Sequence, residues 1–213
     1  MKRMRPVVLV LCAVLLVAAS VLGTVAYLTD DAEVVNTFTV GKVEITLDEA
    51  EVDAMGVPTG DGRTTTGNAY HLIPGVTYTK DPIMTVKSGS EEAYVRMLVT
   101  VTNYSELTAI FGDPFLPQNL VSGWDGAKWV TTGEIAVDTA ANTATYEFRY
   151  FETVDPDAAD VVLPALFETF TIPGSVTGDQ LATIADLEIS VEGHAIQTIG
   201  FADADAAWAA FTK

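Results

Sequence analysis

Apolar positions follow two different patterns along this chain. The first is continuous: Val7 to Leu22 is broken only by small residues and Ser20. The second alternates. In KVEITLD, Val43, Ile45 and Leu47 interleave with Lys42, Glu44, Thr46 and Asp48, a period of two that buries one face of a strand and wets the other. Gly41 separates this strand from a preceding β-rich NTFTV. Residues 49–68, with five glycines and prolines among polar residues, read as loop. Further strands are expected at PIMTVK (82–87) and AYVRMLVTVT (93–102). The second of these places Val95, Met97, Val99 and Val101 on one face. Tyr94, Arg96 and Leu98 lie on the other, which therefore needs partial cover as well.

Residues 103–126 read as irregular, with a short helix around Ser105–Phe111. AKWVTT and NTATYEFRYFETV follow as a strand pair, then FETFTI (167–172) ending at Pro173-Gly174. A short helix is expected at Asp179–Ala185, a long strand at 186–199 with a bulge near Gly193, and a helix at 203–211 capped by Asp203 or Asp205. Many strands, turn-rich connections and no βαβ alternation predict an all-β, antiparallel β-sandwich with a few short helices, jelly-roll-like in type.

Lys2, Arg3 and Arg5 precede the continuous apolar run, and Thr24 and Ala26 follow it. A basic start, an apolar middle and small residues third and first before a cut make a secretory signal, 1–26, cleaved after Ala26. Tyr27 then becomes the new terminus of an exported domain, 27–213. If no cut is made, the 22 residues Val7–Leu28 suffice, at about 1.5 Å each, to cross a bilayer as an anchor. Either way the positive charges stay inside and Asp30 onward lies outside the cytoplasm. Membrane contact is transient if the signal is cut.

Charge sharpens this picture. The chain has eleven basic and twenty-nine acidic residues, a net of −18. Three of the basic residues lie in the leader, so the exported part carries eight against twenty-nine, a net of −21. Such a surface repels nucleic acid and anionic lipid and keeps an exported protein in solution. The single cysteine, Cys12, lies in the leader. The exported part therefore has no disulfide, thiol nucleophile or thiolate metal ligand.

Catalytic signals are sparse. His71 and His194 stand 123 positions apart, and neither belongs to HExxH or lies near GxSxG, which are both absent. We expect no enzyme and no cofactor. Calcium is the one ion the acidic clusters suggest, through Asp155, Asp157 and Asp160 or Asp203 and Asp205, though turn-forming and helix-capping aspartates on a solvated surface are the better reading. Tyr146, Phe148 and Tyr150, with Trp124 and Trp129, read as core; exposed on one face they would instead bind carbohydrate.

Three blocks carry a family resemblance. GTVAYLTD followed by NTFTVGKVEITLDE resembles the export signal of the SipW-type, TasA/camelysin family. HLIPGVTYTKDPIMTVKSGSEEAYVRM (71–97) resembles its P-G-x-x-x-x-K-D segment, with Pro74, Gly75, Lys80 and Asp81 in register. GHAIQTIGFADADAAWAAF (193–211) resembles the closing segment of exported members. The resemblance implies removal of the leader by a dedicated type I signal peptidase and a jelly-roll-like domain. It also implies a biofilm or matrix setting with self-assembly or related matrix proteins as partners. There Tyr27 to Val40, with Asn36, Thr37, Phe38, Thr39 and Val40 at its core, is the candidate strand donated to a neighbouring copy. The camelysin name implies a metallopeptidase, for which the ligands are missing. A monomeric module binding glycan or calcium is the other expectation. Pro74-Gly75 itself suits a tight turn, and Lys80 an acidic partner.

N-terminal sequencing of the exported protein is expected to begin at Tyr27 and read Tyr-Leu-Thr-Asp. Recovery with Met1 and the leader attached would contradict it.

Overall fold

The computed structural model describes Cys12–Ala13 and residues 41–211. The chain divides into two units between Val40 and Gly41, and the strands and helices named next belong to the second. The expected cleavage residues Thr24, Ala26 and Tyr27 and the candidate donor Asn36–Val40 lie outside the described residues.

Eleven strands are described: β1 (Ile45–Val52), β2 (Pro58–Thr64), β3 (Thr77–Thr79), β4 (Ile83–Val86), β5 (Ala93–Val101), β6 (Val121–Ser122), β7 (Trp129–Asp138), β8 (Thr143–Tyr150), β9 (Val161–Val162), β10 (Thr169–Thr171) and β11 (Ile189–Gln197). Every ladder is antiparallel. They form one four-stranded sheet in the order β2-β1-β4-β9, another in the order β11-β5-β8-β7, and a small third sheet, β3-β10-β6. Three short helices join them: α1 (Tyr104–Phe111), α2 (Gly178–Thr183) and α3 (Ala204–Ala210). The protein is an all-β antiparallel sandwich. Its jelly-roll character lies in the chain's repeated crossing between sheets, from β4 to β5 and back from β8 to β9.

The alternation in β5 sets the core. Its burial switches at every residue, with Val95, Met97, Val99 and Val101 inside. Register puts Phe148 and Tyr146 of β8 beside Met97 and Val99 on that inner face. Trp129, Met84, Val86, Leu166 and Ile172 complete it, all essentially without solvent exposure. Two buried polar ends are satisfied by backbone: the Trp129 indole donates to the Pro164 carbonyl at 3.0 Å and the Tyr146 hydroxyl to that of Phe115 at 2.6 Å. The β8 aromatics are thus core, not an exposed carbohydrate face. The outer face of β5 is covered by α3, whose Ala207 and Trp208 are buried, with the Arg96 guanidinium 4.3 Å from the Trp208 ring centre.

Two expectations are corrected. Residues 49–68 are not a loop: β1 runs on to Val52 and β2 folds back on it, pairing Glu49 with Thr64 and Ala50 with Arg63. Nor is there a bulge at Gly193. It faces Met97 in an unbroken β11–β5 register. A Cβ built there would lie 2.5 Å from Met84 Cε of the opposing sheet. Glycine stands there because a buried methionine from the facing layer occupies the space.

Gly193→Val is therefore expected to cost about 1–3 kcal/mol by overpacking. The loss should be smaller in a Met84→Ala background, as read by urea unfolding of the four-member cycle. Equal losses in both backgrounds would show that Met84 is not the cause.

Candidate functional site

A groove of about 890 Å³ runs between the two large sheets. One wall is Leu47–Glu49 of β1 with the segment 64–72; the other is Leu187–Val191, the start of β11 and the two residues before it, with Leu181 and Ala182 of α2 nearby. Leu47, Leu181, Leu187, Ile189 and Val191 pack against the core yet are only half-buried. The groove is thus a place where the core reaches solvent. β11 is the last strand of its sheet, and among the described residues no strand pairs with its side away from β5. Ile45–Asp48 of β1 pair with β4 alone, since β2 joins only from Glu49 onward.

The groove's polar floor is built by the P-G-x-x-x-x-K-D segment. Pro74-Gly75 form a turn closed by Val76 N–H donating to the Ile73 carbonyl at 3.1 Å, with Gly75 at φ +85°, a value that favours glycine. Lys80 and Asp81 directly follow β3 and lock onto β1 by different means. Lys80 Nζ lies 2.7 Å from Glu49 Oε2, and each side chain is only 8% exposed. Asp81 accepts the Ala50 N–H at 2.7 Å through Oδ1 and an Arg63 N–H at 2.9 Å through Oδ2. Arg63 also pairs with Asp48. The Lys80 pair is thus an interior one, to which the small worth of exposed pairs does not apply.

Asn68 completes the floor. Its Nδ2 donates to Glu49 Oε1 at 2.8 Å and to the Ala50 carbonyl at 2.9 Å, while its Oδ1 accepts the Val52 N–H at 3.0 Å. Tyr70 stands edge-on to Tyr78 and Phe170, with ring centres at 5.8 and 5.2 Å, and donates its hydroxyl to the Thr79 carbonyl. Burial, and then the negative charge of Glu49, push the Tyr70 hydroxyl well above the usual phenol range.

The two histidines serve separate places. His71 is exposed beside the groove, and its backbone binds Ala54 and the Tyr78 hydroxyl. His194 is buried on the outer face of the other sheet. There it accepts from Arg96 Nε at 3.2 Å through Nδ1 and stacks on Phe211 at 4.6 Å. Its Nε2 is 3.3 Å from Glu192 Oε1, too poorly aligned for a hydrogen bond and an ion pair only when the ring is protonated. Asp160 is taken by Lys87 and the Ser88 N–H, Asp203 caps α3 through the Ala206 N–H, and Asp205 pairs with Arg149. No group of three or more His, Cys, Asp or Glu able to hold a metal occurs among the described residues. Comparison with protein-family models, with curated proteins and with solved structures returned no match.

Glu49, Asn68, Tyr70 and the β11 wall were not singled out by sequence. Glu49 did carry a signal: it continues the inward face Val43, Ile45, Leu47 by one more alternate position.

Alkaline titration checks the groove's burial. A tyrosine whose folded value is raised favours the fold fully below the ordinary value of about 10 and loses that contribution as pH climbs above it, because the unfolded chain releases its proton first. Tyr70 and the similarly raised Tyr146 are expected to ionise only with unfolding, seen as a late step in tyrosinate absorbance coincident with loss of the β-sheet circular dichroism signal. Complete ionisation with the sheets intact would contradict it.

Proposed function

We propose that this is an exported, acidic structural protein of the cell surface or biofilm matrix. It works as a fibre subunit that assembles by strand addition once its leader is cut by a type I signal peptidase. The observation that carries this reading is the side of β11 that no described strand pairs with, bordering a groove in which half-buried leucines, Ile189 and Val191 meet solvent. An unpaired strand edge offers a ready row of N–H and C=O groups, and an exposed apolar floor gives alternate side chains of an added strand somewhere to go.

The occupant is the segment Tyr27–Val40 of a second copy. Its Asn36–Val40 alternates, with Phe38 and Val40 on one face and Thr37 and Thr39 on the other. Five residues in extended form cover about 17 Å, and β11 offers nine residues, Ile189–Gln197, whose first three line the groove. Donation from one copy to the next does not close on itself, so it yields filaments and not dimers. Asp30, Asp31 and Glu33 of the donor meet an acidic partner, so added salt should favour assembly by screening. In this role the chain needs no catalytic group and no cofactor.

A groove of this volume also falls within the range of small-molecule sites, which keeps a monomeric ligand-binding module as the second reading.

Size-exclusion chromatography with light scattering separates the two. A chain beginning at Tyr27 is expected to form concentration-dependent polymers that increase with salt, and one beginning at Val40 to stay monomeric. Monomers from both chains would overturn strand addition and favour the module.

A further inference from the structure

The buried Glu49 and Lys80, with the half-buried Asn68, form more than an ion pair with a neighbour. Lys80 Nζ lies 2.7 Å from one oxygen of the Glu49 carboxylate, and Asn68 Nδ2 lies 2.8 Å from the other. An amine and a carboxamide therefore share one carboxylate, each on its own oxygen. Overall, Glu49 is 6% exposed and Lys80 7%, and the Tyr70, Tyr78 and Phe170 rings cluster near them. The carboxamide is held by its remaining atoms: Oδ1 accepts the Val52 N–H at 3.0 Å, and Nδ2 donates also to the Ala50 carbonyl.

We propose that Lys80 and Asn68 become joined by an intramolecular isopeptide bond, with Glu49 relaying the protons. Lys80 enters as an ammonium and Glu49 as a carboxylate. Glu49 takes one Nζ proton, and the freed lone pair attacks Asn68 Cγ. The carbonyl electrons move to Oδ1, where the Val52 N–H already points and so stabilises the developing charge. Collapse forms the Nζ–Cγ amide and breaks the Cγ–Nδ2 bond. Nζ gives up a second proton, Nδ2 gains two through Glu49, and ammonium leaves, with Glu49 again a carboxylate. No oxidant or other reactant is needed. A largely buried carboxylate that holds both reacting groups makes the step effectively unimolecular. Asn68 and Lys80 both line the groove, which gives the ammonium a way out.

The link would fix the segment 68–80, one wall of the groove, to the end of β3. It would supply a covalent staple to a domain with no cysteine. It does not rest on strand addition.

The test is peptide mapping of the intact protein, folded and then denatured and digested with trypsin. With the bond in place, cleavage after Lys80 is blocked. A single peptide, Thr64–Lys87, then appears, lighter than its sequence by one ammonia. Chymotryptic cutting at Tyr70 and Tyr78 leaves its two ends joined. Glu49→Gln, which keeps the shape but carries no protons, is expected to give separate Thr64–Lys80 and Asp81–Lys87 peptides at full mass, as are Asn68→Ala and Lys80→Arg variants cut after position 80. The wild-type protein decides the matter even if a variant fails to fold: separate full-mass peptides from it would overturn the proposal. Linkage persisting in Glu49→Gln would overturn the relay.

Discussion

Burying a carboxylate and an ammonium together is unfavourable unless each finds close, well-directed partners, because both lose water that a distant opposite charge cannot replace. Glu49 and Lys80 meet that condition through a 2.7 Å contact and the two-sided clasp of Asn68. Much of the structure around the groove depends on this arrangement. The pair ties the end of β3 to the middle of β1, and Asn68 ties the segment after β2 to the same place. Removing either partner alone would strand a charge in the interior, so the three residues behave as a unit. Asp81 and Arg63, one residue further out, repeat the tie at the surface. The turn at Pro74-Gly75 aims β3 so that both ties can form.

This tie also explains why the groove stays open. β1 is held on one side by β4 and, past Glu49, on the other by β2. Among the described residues β11 is held by β5 alone. The two sheets approach closely where Met84 and Leu47 reach Gly193, with Leu47 Cδ2 3.7 Å from a Cβ built there. Further along, towards Leu187, the loop carrying Asn68 and Tyr70 and the helix α2 line the space instead of a strand. Among the described residues no strand fills that point, which leaves both backbone donors and apolar side chains of the kind an added strand satisfies together.

The sheets were legible where burial is one-sided and the strand is long. The β5 alternation named four core residues, and the demand for cover on its outer face was met by α3. β2 was not legible because PTGDGRT has no apolar face at all: its pairing comes from β1 and from Arg63 bridging Asp48 and Asp81. Gly193 read as a bulge because its real constraint is Met84, a residue distant in sequence. The site was harder still. Its walls come from β1, the loop after β2, α2 and β11, and no local pattern joins them. Glu49, an acid continuing an apolar face, was the one local clue that a buried partner was needed, and Lys80, one of few cations, was its counterpart.

The charge inventory bears on assembly as well as on solubility. Of the basic residues described between Gly41 and Phe211, each has a partner within this chain. Lys42 pairs with Glu44, Arg63 with Asp48 and Asp81, Lys80 with Glu49, and Lys87 with Asp160. Arg96 and Arg149 share Glu147, and Lys128 sits over the Phe151 ring at 4.1 Å. Little positive charge is left to attract a second acidic copy, so long-range electrostatics keep copies apart. Any association must then come from short-range, directional contacts strong enough to outweigh that repulsion. Backbone pairing along an open edge, reinforced by alternate side chains entering an apolar groove, has that character; a broad surface contact between two such acidic bodies does not. The same acidity therefore narrows the routes by which two copies could associate to contacts along a strand edge.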